Sequence, residues 1–247
     1  MMMITDRLRH ILTTVAVALM AAGFLTSCSD DDEGPATRYA VLYDMVEYAG
    51  QRDGSTQFKL YVPDSEKSAD LTTGQGLNMK SVKTGECVLL AYVPQSGEAY
   101  TSGPVDVRGI GAVTNGKLMK GPSESLTGWD RDPIWLHSIW RAGGYIMMRI
   151  QLVYDRNPRL FRLVIDDSTI GNEYPDAYLV NARKGDADNY RKLYYVAWDV
   201  SALWTYDYIK GLRVHVNNAN NTSLRTFTFE KPTNFTPGTG DIPEDKE

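Results

Sequence analysis

Alternation of apolar and polar residues, in short runs separated by turn residues, is what most restricts the folds open to this chain. Across residues 145–154, Ile146, Met148, Ile150, Leu152 and Tyr154 share one parity, while Arg149 and Gln151 take the other. A repeat of two sets those side chains on opposite faces of an extended strand. Phe58, Leu60 and Val62 alternate in the same way with Lys59 and Tyr61, and Phe161, Leu163 and Ile165 with Arg162 and Val164. The chain therefore reads as all-β.

Taken in order, residues 38–48, 58–62, 86–93 and 105–113 are rich in β-branched, aromatic and alternating apolar residues. Pro63-Asp64 stops the second run, and the polar, Gly-bearing residues 65–83 read as a long loop with at most one helical turn. Asn115-Gly116 is the strongest two-residue hairpin signal, since both positions tolerate positive φ. With the strand returning from that hairpin, five short strands with one long connection fit a small OB-like β-barrel over residues 38–121. Residues 121–128, polar and without period, predict an exposed connector. Beyond it, runs at 134–140, 145–154, 161–165, 176–182, 192–200, 210–217 and 223–230 are punctuated by turns at 142–144, 155–158, 185–189 and Asn220-Asn221. One helical turn fits residues 201–208. Seven such strands argue an immunoglobulin-like β-sandwich over residues 129–233, with a disordered Pro/Gly/acidic tail at 234–247. On this reading residues 130–233 should fold alone.

The N-terminus carries a different kind of signal. Arg7, Arg9 and His10 precede an apolar run at 11–25, then Leu25-Thr26-Ser27-Cys28 and the acidic run Asp30-Asp31-Asp32-Glu33. That order is a secretory signal peptide at residues 1–27, ending directly before a cysteine. It resembles the lipobox of bacterial lipoproteins, which implies cleavage before Cys28 and acylation of the new N-terminus. The run is short of the ~20 apolar residues a membrane-spanning helix needs. Several acyl chains on one cysteine satisfy the requirement that stable anchoring take more than one chain. Residues 28–37 read as a flexible acidic tether. Ser29 and the acids after it resemble the surface-export signal of Bacteroidota lipoproteins, so the expected location is the outer membrane, facing outward.

Cleavage would remove Asp6, Arg7 and Arg9, lowering the 26 basic residues to 24 and the 31 acidic ones to 30, a net charge of −6. No basic cluster is present, so nucleic acid is not an expected partner. With Cys28 consumed by lipid, Cys87 has no partner for a disulfide. Its apolar setting, Glu86-Cys87-Val88-Leu89-Leu90, predicts a small core residue.

Motifs for chemistry are sparse. The sequence has no nucleophile elbow, phosphate loop or histidine pair at metal-binding spacing, so no catalytic residue, cofactor or metal is assigned. His137 and His215 both read as ordinary strand positions. Asp166-Asp167 should point to opposite faces, and Asp186 and Asp188 fit a hairpin turn better than a calcium loop. Asp167-Ser168-Thr169 resembles the short O-glycosylation site of Bacteroidota secreted proteins, which marks Ser168. All five tryptophans lie beyond residue 128. Among the aromatics, Trp204, Tyr206 and Tyr208 sit between strands and are the candidates for an exposed partner-binding cluster.

The lipobox, the strand at 86–93, Asp132-Pro133-Ile134, the hairpin at 139–151, Gly185-Asp186 and the run at 196–203 together resemble the NigD-like lipoproteins of Bacteroidota. That resemblance implies an N-terminal OB-like domain followed by a C-terminal β-sandwich, and transfers no catalytic residue. The expectation is a non-enzymatic, membrane-anchored envelope protein binding a protein or glycan. The alternatives are a hydrolase of an envelope polymer or, from the family name alone, a bacteriocin-immunity factor.

Overall fold

The computed structural model describes residues 40–155, 159–183, 190–220, 225–233 and 241–245. Residues 39–247 form one compact unit, and among the described residues thirteen strands fold into a closed barrel and an eight-stranded sheet. The signal region, Cys28 and the tether lie outside the described residues, as do the turn at 185–189 and the Asn221 half of the last turn.

The barrel comprises β1 (Leu42–Arg52), β2 (Ser55–Tyr61), β3 (Ser68–Thr73), β4 (Cys87–Pro94) and β5 (Gly103–Gly111). Around the barrel their order is β1-β2-β3-β5-β4. All contacts are antiparallel except β3–β5, as an OB-like barrel requires. Its inward residues include Val46, Phe58, Leu60, Leu71, Leu90, Tyr92 and Val105, of which the alternation had marked Phe58 and Leu60. β3 lies inside the stretch expected to be a loop. Its inward positions are Ala69, Leu71 and Thr73, so only one large apolar residue signals the period. Thr73 is instead held by hydrogen bonding, accepting the Thr56 N–H at 2.9 Å.

The sheet is built from β6 (Thr114–Gly121), β7 (Trp135–Ala142), β8 (Tyr145–Val153), β9 (Leu160–Asp166), β10 (Asp176–Ala182), β11 (Arg191–Asp199), β12 (Gly211–His215) and β13 (Thr226–Glu230). The order is β13-β12-β10-β9-β6-β11-β8-β7, and a bridge between Ile134 and Asn218 brings its two ends together. β6 is the shared member. Its first half, Thr114 to Lys117, pairs in parallel with β11, and its second half, Leu118 to Gly121, pairs in parallel with β9. The two layers of the sandwich therefore meet on one strand, and Leu118, Ile146, Ile150, Leu163, Leu179, Val196, Trp198, Leu212 and Val214 fill the space between them.

Several expectations change as a result. Asn115-Gly116 is not a hairpin turn: both residues lie in the extended β6, opposite Ala197 and Trp198. A Cβ on Gly116 would lie 2.1 Å from Trp198 Cζ3, so glycine is there to seat an indole, not to turn the chain. The division between barrel and sandwich accordingly falls between Gly111 and Thr114, ahead of the expected connector. Residues 121–128 join β6 to β7 within the sandwich, and a 3-10 turn at Ser123–Leu126 buries Leu126. The expected helical turn appears as a 3-10 turn at Leu203–Thr205. Residues 130–233 alone would lack β6, which removes one of the two strand neighbours of each of β9 and β11. Within the expected tail, Ile242 is 3% exposed and belongs to the sandwich core.

Replacing Gly116 with Ala tests the seat of Trp198. Overpacking of this kind typically costs about 1–3 kcal/mol. The melting temperature should fall while Trp198 fluorescence reports a more exposed indole. Unchanged stability would mean that β6 and Trp198 do not pack as described.

Candidate functional site

The barrel and the sandwich are joined by apolar contact as well as by chain. Met45, Cys87, Ala142, Tyr145, Met147 and Ala197 are buried together, with Tyr61, Leu89, Val113, Trp140 and Tyr195 packed around them. Residues from β1, β2 and β4 thus share one cluster with residues from β7, β8 and β11. Hydrogen bonds fix the seam. The Asn115 side chain accepts the Cys87 N–H at 2.7 Å and donates to the Cys87 carbonyl at 2.9 Å, acting as a short piece of extra strand. Arg141 closes the other side: its N–H donates to Asp64 at 3.0 Å and its Nη2 to Glu66 at 2.9 Å. The turn between β7 and β8 lies so close to the barrel that a Cβ on Gly143, at φ +57°, would meet the Tyr61 ring at 2.6 Å.

At this seam the surface opens into a cleft of about 470 Å³. Its floor is aromatic. Tyr61 and Tyr145 approach with centroids 6.2 Å apart. Tyr61 donates its hydroxyl to Glu47 Oε2 at 2.9 Å, and Tyr145 donates to the Gly85 carbonyl at 2.7 Å. Around them stand the carboxylates of Glu47, Glu86 and Asp199 and the cations of Lys83 and Lys117. The carboxylates are already oriented. Glu86 accepts the Lys83 N–H at 2.9 Å, and Asp199 accepts the Ser201 N–H at 3.0 Å. Burial first, and the charges of Glu47 and Asp199 next, push the Cys87 thiol well above its ordinary range. Burial likewise raises both tyrosines, with Glu47 the next cause. All three groups therefore stay protonated at neutral pH, and the two hydroxyls keep fixed donor directions.

Residues singled out by sequence are placed as follows. Trp204 is 1% exposed and sits in the sandwich core, so it cannot belong to an exposed cluster. Tyr206 packs against the same core, and its ring lies 5.7 Å from that of Tyr208. Only Tyr208, 45% exposed, faces solvent. Ser168 is exposed in a 3-10 turn at Asp167–Thr169, where its hydroxyl donates to Asp166 at 2.8 Å. Asp166 caps that turn, and Asp167 is its exposed first residue. His137 is exposed at a bulge in β7. His215 points outward between the buried Val214 and Val216, stacked on Tyr178 at 4.5 Å. Its Nε2 lies 2.7 Å from Asp176, whose carboxyl also takes two Arg213 N–H bonds at 2.7 Å each. Those Arg213 bonds are the main reason the Asp176 carboxyl sits below the usual carboxylate range. Cys87, 1% exposed, is the core residue its sequence predicted. Among the described residues no group of three or more His, Cys, Asp or Glu side chains could hold a metal ion. Sequence reasoning missed the cleft because its lining comes from six separate segments, none with a motif of its own.

No protein-family model matches the chain, and no curated protein does. Solved structures do. A protein of unknown function from Bacteroides vulgatus superposes with a TM-score of 0.60 at 16% identity, covering 84% of this chain and 96% of that one. A candidate lipoprotein from Bacteroides fragilis gives 0.53 at 11% identity, over 79% of this chain and 100% of that one. The fold is the one that the NigD-like resemblance implies. A NigD-like immunity protein from Bacteroides caccae aligns at 0.49 and 18% identity, over 78% of this chain and 94% of that one. At these identities the likeness is one of fold. Among the described residues no helix is long and apolar enough to cross a membrane.

The seam makes a direct prediction for Cys87. A protonated, buried thiol is inert to alkylation. Cys87 should react with a thiol reagent only on unfolding, or when a charge placed at Ala142 parts the barrel from the sandwich. Rapid labelling of the native chain would show that the seam is not closed.

Proposed function

We propose that this chain is a lipid-anchored envelope protein that binds a protein or glycan partner and carries out no reaction of its own. The anchor is read from Leu25-Thr26-Ser27-Cys28 and the acidic tether after it, and a candidate lipoprotein shares the fold. The binding role rests on the junction cleft. Its two tyrosines and three carboxylates are held by internal hydrogen bonds, which lowers the ordering cost of meeting a ligand. A floor of tyrosine rings with a polar rim suits stacking on sugar rings or anchoring a protein side chain. The outer membrane is the proposed location, with the tether carrying the β domains outward.

Inhibiting signal peptidase II, or replacing Cys28 with Ala, should leave an unprocessed precursor, and normal cutting and release would remove the anchor from the account. For the cleft, immobilised chain should retain an envelope glycan or protein that a Lys117→Glu chain of equal melting temperature does not. Equal retention would move the binding face elsewhere. Hydrolysis of an envelope polymer by the purified chain, lost in Glu47→Gln, would assign a hydrolase instead.

A further inference from the structure

The edge of β6 changes neighbours along its length, and the change leaves a slot. β11 keeps pace with β6 only as far as Asp199 opposite Lys117. Past that point the same edge is taken by the C-terminal segment 241–245. The Lys120 N–H donates to the Pro243 carbonyl at 2.8 Å, and the Asp245 N–H donates to the Lys120 carbonyl at 2.8 Å, forming a parallel bridge between Lys120 and Glu244. Ile242 enters the sandwich core at 3% exposure. Two cations frame the slot and both are used: Lys120 Nζ pairs with Glu244 at 2.7 Å, and Arg162 pairs with Asp245, whose side chain is 9% exposed.

This segment is held differently from the strands around it. It makes two backbone hydrogen bonds, against four paired positions between β6 and β9. Only Ile242 of its five residues is buried, while Asp241, Pro243 and Glu244 are exposed. Elements with few buried contacts open locally long before the whole fold does. A tethered segment of this kind also faces its slot at an effective concentration on the order of millimolar, so modest intrinsic affinity suffices to keep it docked.

We propose that the edge of β6 at Lys120 is a strand-acceptor slot for an extended peptide, and that the chain's own C-terminal segment fills it as a displaceable plug. The contacts define the occupant. It is an apolar residue in the Ile242 pocket, a spacer, and then carboxylates two and three positions on to meet Lys120 and Arg162. Backbone pairing supplies affinity in strand addition, and alternate side-chain pockets supply selectivity. The slot is separate from the junction cleft, so its test stands whatever the cleft binds.

The test uses full-length chain carrying Ile242→Ser, which empties the apolar pocket, and a fluorescent peptide of residues 241–247. The peptide should bind this chain with a dissociation constant below about 1 mM and wild-type chain at least about tenfold more weakly. A scrambled peptide should not bind, and adding Arg162→Ala should weaken binding about tenfold or more. A folded Ile242→Ser chain that ignores the peptide, or that takes the scrambled one equally, overturns the proposal. Hydrogen exchange in the wild-type chain decides independently, should the variant fail to fold. The Lys120 and Asp245 amides should exchange at least about a hundredfold faster than those of Leu163 and Val164. Equal protection would make the segment an ordinary part of the core, and the slot no binding site.

Discussion

Thr114–Gly121 hydrogen-bonds to β11 with one half and to β9 with the other, and the rest of the structure depends on that division. A strand that serves two layers cannot be removed without separating them. It also follows the last barrel strand after only two residues, so the barrel is fixed to the strand on which the sandwich closes. Gly116 allows Trp198 to lie across it, Asn115 ties it back to Cys87, and Lys120 holds the C-terminal segment. The apolar cluster around Met45, Tyr145 and Met147 then seals barrel against sandwich. Chain connection, backbone pairing and burial all act at one seam.

Much of the fold was legible because most strands are amphipathic. β8 and β9 each carry an alternation of large apolar residues, and β10 falls on the residues that the pattern marked. β3 was not legible, because Ala69 and Thr73 fill inward positions with little apolar signal. β6 was misread for a physical reason. Asn-Gly is favoured in hairpin turns because it tolerates positive φ, but glycine is equally demanded where a large ring approaches the backbone. Local sequence does not separate those two uses; the presence of Trp198 across the sheet does. Residues 241–245 of the tail were misread for a similar reason, since a single isoleucine among Pro, Gly and acids carries no periodicity.

The candidate site was less legible than the fold. Lys83, Glu86, Lys117, Tyr145 and Asp199 have nothing in common until the barrel and sandwich are placed together. The aromatic cluster suggested by spacing, at Trp204, Tyr206 and Tyr208, is mostly drawn inward because the 3-10 turn delivers Leu203 and Trp204 to the core. Only Tyr208 keeps the exposure that a partner would need. A cleft formed where two β units meet, with hydroxyl donors fixed by burial, is a setting in which ligands commonly bind. It also couples the site to the seam, since any parting of barrel from sandwich would undo the Tyr61 and Tyr145 geometry.

If that seam governs the molecule, barrel and sandwich must unfold together. Differential scanning calorimetry of the soluble chain from Ser29 onward tests this most directly. One transition is expected, with calorimetric and van't Hoff enthalpies that agree, as a two-state unit requires. Two resolved transitions, or a calorimetric enthalpy well above the van't Hoff value, would show that barrel and sandwich melt separately and that β6 does not bind them into one unit.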